Sequence, residues 1–412
     1  MRVLLISPKY HGGGAERCAR ELFDGLPSVG IDTTLFVARR APDDPPNVVP
    51  VRLPGEKYLR AFELILKRPI DGRHIGSTIR LGTIRPGQFD IVHLHNLHGG
   101  WVSSSAVQKL CARFPSVWTL HDEWAVTTGL PYDLSRVYSE SEIIAQFGAE
   151  PVLSPGHTKA LAIQRDVVKR LPRPQTVISP SQYILDLAGT CPWFSKAARI
   201  RLPYGVTMLT EPNSNVSRHE ARKHHGLPQD SSVILLVAAN LKSPYKGIHY
   251  AIEAINRLTA PMHVLLVGTD SNEIAKLLKH PTVATGFLAS QSDLALAYRA
   301  ADVTVIPSVA DNYPYVALES LSCSTPLVCF TIGGMPELAG NEDRGICCPP
   351  FDTLAMAAAV HDLLTHKDKR AVLGNTGKQW VWAHCAYDSF LKSHVRIYAE
   401  TIERFREAAC ER

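Results

Sequence analysis

The stretch IPSVADNYPYVALESLSCSTPLVCFTIGGMPEL, residues 306–338, decides the fold that the sequence predicts. An apolar run enters a polar turn that contains Asp311, a short helical segment carries Glu319, and a second apolar run ends at Gly333 and Gly334. This order indicates a βαβ unit, in which a helix joins two parallel strands. Open parallel sheets bind ligands at the carboxyl ends of their strands. The two acids are therefore candidate acceptors of hydrogen bonds from ribose or sugar hydroxyls.

The same alternation of strand and helix signals runs along the whole chain, and it predicts parallel sheets covered on both faces. The predicted strands are 3–7, 31–37, 89–95, 117–121, 176–179, 233–239, 263–267, 303–307, 327–330 and 345–347. The predicted helices are 15–26, 102–112, 158–171, 181–187, 247–258, 293–300, 316–322, 353–364 and the last segment from 376. We expect an α/β protein of two doubly wound, Rossmann-like domains, 1–205 and 206–385, with the boundary inside 199–215.

Composition narrows the class of protein further. The chain has 412 residues, a length that suits two domains. Its 45% hydrophobic and 20% charged residues are typical of a globular enzyme. No apolar stretch has the length of a membrane span, and the net charge of +5 does not favour nucleic acid as a partner. Nine scattered cysteines without a CxxC pair indicate the reducing cytoplasm.

Two segments have the features of an anion site. Gly12, Gly13 and Gly14 follow the first predicted strand and precede a helix, so that backbone amides and the helix N-terminus could approach a phosphate or pyrophosphate. Lys246 stands just before the helix predicted at 247–258, where its charge would suit a diphosphate. The alternatives are an ordinary strand-to-helix turn for the glycines and a solvated lysine for Lys246.

Histidines and acids follow other predicted strands. His121 could act as an acid or base or orient a substrate hydroxyl, and Asp122 or Glu123 could hold an acceptor. The alternative for His121 is a histidine bonded to neighbouring backbone. His93 and His95 share one face of a strand, but no further ligand stands at a known metal-site spacing. We therefore expect no metal and no cofactor.

The segment 57–85 is rich in basic residues interleaved with apolar ones. A basic amphipathic helix can lie on an anionic bilayer, which predicts a peripheral contact with the inner face of the membrane. The alternative is a solvated helix that packs its apolar face on the sheet.

Taken together, these residues resemble the retaining glycosyltransferases of family four. The motif Asp311, seven residues, Glu319 is similar to the paired acids of that family. An aspartate followed by Asn312 resembles the branch that builds bacterial exopolysaccharide, O-antigen and colanic acid. The resemblance extends over nearly the whole chain through GGGAER at 12–17, HLHN at 93–96, WTLHD at 118–122, SPS at 179–181, KG at 246–247 and GGMPE at 333–337.

The resemblance implies the GT-B fold, with two Rossmann-like domains facing a cleft and a C-terminal helix, 386–412, that crosses back to the first domain. It implies a nucleotide diphosphate sugar as donor, without a metal, and a glycan or lipid-linked acceptor. In the second domain, Asp311 would contact the transferred sugar, Glu319 the ribose and Lys246 the diphosphate, and Asn240 and Asn312 would also belong to the donor site. His121 would lie near the reacting centre, with the glycine loop joining at the diphosphate.

One position departs from the family pattern. Asn240 stands where an arginine commonly partners the lysine, so one positive charge is missing from the predicted donor site, and Lys242 is the candidate replacement. Two alternatives to transfer follow. One is a nucleotide-sugar-binding protein with weakened catalysis, and the other is a sugar-nucleotide epimerase on the same scaffold.

Overall fold

The computed structural model of the chain describes residues 1–53, 56, 75–127, 132, 171–207 and 216–410. Of these residues, those up to Leu202 and those from Phe390 onward form one compact unit, and Pro203–Ser389 form a second. The helices among them include none long and apolar enough to cross a membrane. The helix predicted at 158–171 and most of the basic segment 57–85 lie outside the described residues, so the membrane contact stays a prediction.

The first unit contains a seven-stranded parallel sheet with the order β3-β2-β1-β4-β5-β6-β7. Its strands are β1 (Arg2–Ile6), β2 (Asp32–Val37), β3 (Val48–Pro50), β4 (Ile91–Leu94), β5 (Ser116–Thr119), β6 (Thr176–Ser179) and β7 (Ala198–Arg201). Its helices before the second unit are α1 (Gly14–Gly25), α2 (Ile75–Gly82), α3 (Ser104–Cys111), α4 (Trp124–Thr127) and α5 (Gln182–Gly189), with 3-10 turns at Leu26–Val29 and Pro192–Phe194.

The second unit contains a six-stranded parallel sheet with the order β10-β9-β8-β11-β12-β13. Its strands are β8 (Ser232–Asn240), β9 (Met262–Thr269), β10 (Thr282–Ala284), β11 (Val303–Ile306), β12 (Leu327–Phe330) and β13 (Gly345–Cys348). Its helices are α6 (Arg218–His224), α7 (Ile248–Asn256), α8 (Ser271–Ala275), α9 (Gln291–Ala300), α10 (Tyr315–Ser322), α11 (Met335–Ala339), α12 (Thr353–Thr365) and α13 (Lys367–His384), with a 3-10 turn at Pro244–Lys246.

Two doubly wound parallel sheets confirm the predicted α/β class. The central strands were predictable because every residue of β4, β5, β11 and β12 is buried, as expected for strands covered on both faces. The sequence analysis missed three strands, β3, β7 and β10, and each of them lies at the edge of its sheet. In β7 the arginines are exposed and the alternate residues are only half-buried, so its apolar signal is weak.

The last helix, α14 (Tyr387–Cys410), packs within the first unit from Phe390 onward, which confirms the predicted crossing back. The hydroxyl of Tyr398 lies 2.7 Å from Nδ1 of His93, and both side chains are fully buried. One turn further along, the hydroxyls of Thr401 and Thr176 are 2.8 Å apart. The helix therefore completes the first unit with apolar packing and with hydrogen bonds to β4 and β6.

Aromatic and apolar residues recur at roughly helical spacing from Trp380 to Phe405, which predicts an apolar face that needs a partner, and this prediction is only partly correct. Trp380 and Trp382 lie on α13, a separate helix that ends at His384. Trp380 packs against the guanidinium of Arg344, whose Cζ is 4.3 Å from the centre of the ring. Trp382 is 64% exposed, so it was wrong to include it in a buried face. The helical spacing of these residues was predicted correctly, but the predicted face continued past His384, where α13 ends.

Asp302, at the start of β11, holds together several elements of the second unit. Its carboxylate is 2.8 Å from both Arg218 and Arg222, 3.2 Å from Arg370, and accepts a 2.8 Å hydrogen bond from the amide of Val233. The side chain of Asp302 is only 3% exposed, so these cations compensate a carboxylate that is removed from water. The cluster joins α6, β8 and α13 to β11.

Replacing Tyr398 with phenylalanine should lower the free energy of unfolding by about 1–3 kcal/mol, because Nδ1 of His93 would stay buried without its partner. Urea unfolding of the two proteins measures the loss. The control is Tyr10→Phe, which removes a more exposed phenolic hydrogen bond to Asp24 in the same unit and should cost about 0.5 kcal/mol. Equal losses in the two variants would contradict a special role for the buried contact.

Candidate functional site

In the second unit, the loops after β8 and β11 bring Lys246 and Asp311 together. Nζ of Lys246 donates a 2.6 Å hydrogen bond to Oδ2 of Asp311, and Oγ of Ser308 donates to the same oxygen at 3.2 Å. The side chain of Asp311 is 9% exposed and that of Lys246 is 34% exposed. The strands are neighbours at the point where the strand order reverses, which is where parallel sheets bind ligands. The predicted residues thus form a partly exposed ion pair at the expected edge.

Glycines allow these loops to approach closely. Gly247 has φ +58°, and a Cβ at that position would lie 2.1 Å from the carbonyl oxygen of Pro307. Gly333 has φ +55°, and a Cβ there would lie 2.0 Å from the carbonyl oxygen of Asp311. An L side chain would meet both steric overlap and an unfavourable backbone conformation at either position. The two glycines explain, in physical terms, the KG and GGMPE motifs.

The second acid of the pair has a different environment. Glu319 lies on α10 and is 1% exposed, and its Oε2 accepts a 2.9 Å hydrogen bond from the hydroxyl of Tyr298. Asn312, next to Asp311, is 2% exposed. The structure therefore separates the two predicted acids into Asp311 beside a lysine at the edge and Glu319 buried against a tyrosine. The sequence analysis did not identify Tyr298 or Ser308.

Asn240 is exposed at the end of β8, and its side chain stabilises the turn that follows. Its Oδ1 accepts a 2.8 Å hydrogen bond from the amide of Lys242, as asparagines commonly do in turns. Nζ of Lys242 donates to Glu273 and lies 3.6 Å from Asp270. The candidate replacement for the missing arginine is therefore already neutralised by two carboxylates.

In the first unit, the glycine loop lies at the carboxyl end of β1. Gly12, Gly13 and Gly14 are exposed, and α1 begins at Gly14 without a capping side chain. A Cβ on Gly12 would lie 2.8 Å from Cγ of Glu16, so this glycine provides space rather than an unusual backbone angle. The exposed helix N-terminus keeps the predicted anion-binding geometry available.

His121 follows β5 and forms part of a buried histidine cluster. Its Nε2 lies 3.0 Å from Nδ1 of His95, and the two rings are stacked. Burial lowers the pKa of His121 to about 4, and burial also lowers the pKa of His95 well below its usual range. His121 is therefore neutral near pH 7, where it can donate or accept a hydrogen bond but carries no charge.

The histidine cluster also bears on metal binding. Both ring nitrogens of His93 have partners, the hydroxyls of Tyr398 and Thr119, each at 2.7 Å, so His93 does not suit the metal site that was considered. Cys18, His95 and His121 each offer a ligand atom, and these atoms lie within 4.8 Å of one another. Nε2 of His121 and Nδ1 of His95 are within hydrogen-bond distance of each other, whereas Nε2 of His95 is buried and has no hydrogen-bond partner among the described residues.

The two predicted acceptor-binding acids also differ in their surroundings. Oδ2 of Asp122 is 2.9 Å from Nε2 of His98, and its Oδ1 accepts from the amide of Trp124 at 2.9 Å. Glu123 is 6% exposed, and its Oε1 accepts a 2.7 Å hydrogen bond from the hydroxyl of Tyr183. Burial alone would lower the pKa of His98, but the hydrogen bond and charge of Asp122 outweigh burial and raise it.

The first unit contains a pocket of about 650 Å³, and His98 is one of the residues that line it. The loops after β1, β2, β3 and β4 form its walls, so its residues are dispersed in the sequence, and the sequence analysis did not identify it. The pocket is lined by Pro8, Lys9, Tyr10, His11, Glu16, Ala38, Arg39, Arg40, Ala41, Asp44, Arg52, Asn96, His98, Gly99 and Trp101.

Known proteins share both the sequence pattern and the fold. The family model described as Glycosyltransferase Family 4 matches residues 12–201, and the model described as Glycosyl transferases group 1 matches 232–366. An uncharacterized glycosyltransferase of Methanocaldococcus jannaschii is 25% identical over 96% of each chain. The D-inositol 3-phosphate glycosyltransferase of Salinispora tropica is 26% identical over 96% of this chain and 82% of its own. Anabaena HepE in complex with UDP superimposes with a TM-score of 0.65 at 17% identity, over 97% of this chain and 100% of its own.

The two sheets and these structural neighbours establish the GT-B fold, and the matching models and relatives make the protein a glycosyltransferase. The model described as Glycosyltransferase Family 4 matches most of the first unit and the group 1 model matches much of the second, so the two together support a glycosyltransferase of the family-four type. The resemblance that the paired acids indicated is confirmed as far as the glycosyltransferase class.

Gly247→Ala should destabilise the protein much more than Gly286→Ala. Gly286 has φ +75° with no atom within 4 Å of an added Cβ, so alanine there meets only backbone strain of about 1–2 kcal/mol. At Gly247 the same strain adds to a collision with Pro307, and we expect at least about 2 kcal/mol more. Urea unfolding measures the free energy of unfolding of both variants, and equal values would refute the steric constraint at Gly247.

Asp122→Asn should lower the pKa of His98 below its usual 6.5, because burial then acts without the opposing carboxylate. NMR titration of histidine-labelled protein measures this pKa, and Asp186→Asn, in the same unit, is the control. In the wild type the ion pair stabilises the folded state below about pH 6.5, and this contribution is lost as the pH rises through the raised pKa. An unchanged titration in Asp122→Asn would disprove the coupling.

Proposed function

We propose that the protein is a retaining glycosyltransferase that moves a sugar from a nucleotide diphosphate sugar to a glycan or lipid-linked acceptor, in the synthesis of surface polysaccharide or glycoconjugates. The ion pair of Lys246 and Asp311 carries this proposal. It places a cation for the diphosphate and an acceptor of sugar hydroxyl protons side by side at the edge where a parallel sheet binds ligands. Binding of UDP by HepE, which shares the fold, is consistent with such a donor.

Lys246 would act chiefly on the departing diphosphate. As the bond between the sugar and the diphosphate breaks, negative charge grows on the leaving oxygen, and a fixed ammonium group stabilises that charge more in the transition state than in the ground state. The ligand would replace part of the interaction that Lys246 now has with Asp311. Asp311 then becomes available to a hydroxyl of the transferred sugar.

The remaining residues would bind and orient the substrates. Asn240 and Asn312 supply amide groups for the donor, and Glu319, held by Tyr298, accepts from the ribose hydroxyls. His121 is neutral, so we propose that it bonds to a substrate hydroxyl rather than pairing with the diphosphate. The amides of Gly12, Gly13 and Gly14 would add hydrogen bonds to the diphosphate.

One observation favours a second candidate, a nucleotide-sugar-binding protein with weakened catalysis. Asn240 has no charge and already accepts from the following turn, and Lys242 is neutralised by Glu273 and Asp270. Transition-state stabilisation at this edge would then depend strongly on Lys246. Tight donor binding by calorimetry, without hydrolysis or transfer to any acceptor, would favour this candidate.

Lys246→Gln should lower the rate of nucleoside diphosphate release from the donor by about 10²–10³-fold, the usual cost of losing one fixed group that stabilises transition-state charge. The donor is first chosen by a thermal-shift screen of uridine, guanosine and adenosine diphosphate sugars. Release is then measured with a coupled assay. Lys242→Gln removes the same charge from the adjacent loop and should change the rate by less than about threefold. Equal rates in Lys246→Gln and the wild type would reject the proposed mechanism.

A further inference from the structure

The pocket in the first unit carries more positive than negative charge. Four lysine and arginine side chains line it, against two carboxylates, and two histidines stand beside them. The cations come from different loops, with Lys9 after β1, Arg39 and Arg40 after β2, and Arg52 after β3. A concave surface with an excess of one charge concentrates the potential there and favours an anionic ligand.

The two carboxylates of the pocket do not cancel this charge. Asp44 is 6% exposed, and its Oδ2 accepts a 2.8 Å hydrogen bond from the backbone amide of Ala41. The stem of Glu16 packs over Gly12. Within the described ranges, neither carboxylate forms an ion pair with a cation of the pocket. The two acids therefore offset only part of the charge of the four cations, and they form no ion pair with Lys9, Arg39 or Arg40 in the described part of the chain.

Two of the cations are fixed by backbone carbonyls and the other two are exposed, an arrangement that suits phosphate. Nη2 of Arg40 donates to the carbonyl of Asp44 at 2.8 Å, and Nη2 of Arg52 donates to the carbonyl of Gly100 at 2.9 Å. The carbonyl of Asp44 fixes the guanidinium of Arg40 without neutralising it, and Arg40 has no ion pair among the described residues. Lys9 and Arg39 are exposed and, among the described residues, have neither an ion pair nor a hydrogen bond. Guanidinium groups match the oxygens of phosphate in pairs, which a single ammonium does not.

A neutral side chain in the same pocket, Asn96, is suited to accept a hydrogen bond from a ligand hydroxyl. Oδ1 of Asn96 is buried and lacks a hydrogen-bond partner in the described part of the chain. Its backbone carbonyl accepts a 3.1 Å hydrogen bond from the indole of Trp101, which fixes this segment. Leaving a buried acceptor unsatisfied costs about 1–3 kcal/mol, and a ligand hydroxyl would recover that energy.

We propose that this pocket is the acceptor site, and that it takes a sugar or polyol bearing a phosphate group. Arg39 and Arg40, with Lys9, bind the phosphate, and Asn96 accepts from a hydroxyl of the same molecule. A volume of about 650 Å³ lies within the usual range for small-molecule sites. This inference rests on the proposed transfer function and specifies its acceptor.

Calorimetry on the full-length protein without donor tests the pocket. The probes are glucose 6-phosphate, glucose, glucuronate and inositol phosphate at low salt. We expect binding of the phosphorylated probes, and about tenfold weaker binding in the double variant Arg39→Gln/Arg40→Gln, which corresponds to the loss of one good charged contact. The control, Arg199→Gln/Arg201→Gln, removes the same charge from the exposed face of β7 in the same unit and should bind like the wild type.

The outcomes separate the possibilities. Equal binding of glucose or glucuronate, or equal weakening by the control, would overturn the phosphate assignment. Sedimentation with phosphatidylinositol vesicles that is lost in Arg39→Gln/Arg40→Gln assigns the phosphate to a lipid headgroup, whereas binding of soluble probes alone assigns it to a free sugar or polyol phosphate. If neither the vesicles nor the soluble probes bind, the proposed acceptor site is refuted. Nucleoside diphosphate release by the wild type tests the transfer function separately, so failure of one is distinguishable from failure of the other.

Discussion

The reversal of strand order beside the first strand of each sheet is the constraint on which the functional geometry depends. In the first unit β1 lies between β2 and β4, and in the second β8 lies between β9 and β11. The connections on the two sides of such a strand go to opposite faces, so the loops at their carboxyl ends separate and leave a crevice. Lys246 and Asp311 meet across this crevice although 64 residues separate them in the chain. The pocket of the first unit lies at the equivalent edge of the other sheet.

The ion pair of the second unit and the histidine cluster of the first differ in their electrostatic character. In the second unit, partial exposure lets Lys246 and Asp311 form an ion pair that a charged ligand can enter. In the first unit, burial lowers the pKa values of His93, His95 and His121, so the histidine cluster is neutral and consists of hydrogen bonds. The environment of each group, more than its identity, thus decides whether it supplies charge or directional bonding.

Much of the fold was predictable because buried parallel strands and amphipathic helices leave strong local patterns. Asp311, Lys246 and Gly247 could be identified because they occupy short motifs at strand ends. Partners such as Tyr298 and Tyr398 could not, because they reach Glu319 and His93 from other helices, and nothing local marks them. The arginines of the pocket were missed because they are divided between the loops after two strands, β2 and β3, and no local motif joins them. Three of the four edge strands, β3, β7 and β10, were missed because exposure dilutes their apolar signal.

The packing of α14 on β4 and β6 has a consequence for synthesis of the protein on the ribosome. His93 and Thr176 acquire their partners from residues that are translated more than 200 positions later. The first unit therefore cannot finish folding before the second has been made, although domains usually fold in the order of their synthesis. The nascent sheet must therefore wait with an uncovered apolar face until α14 has been translated.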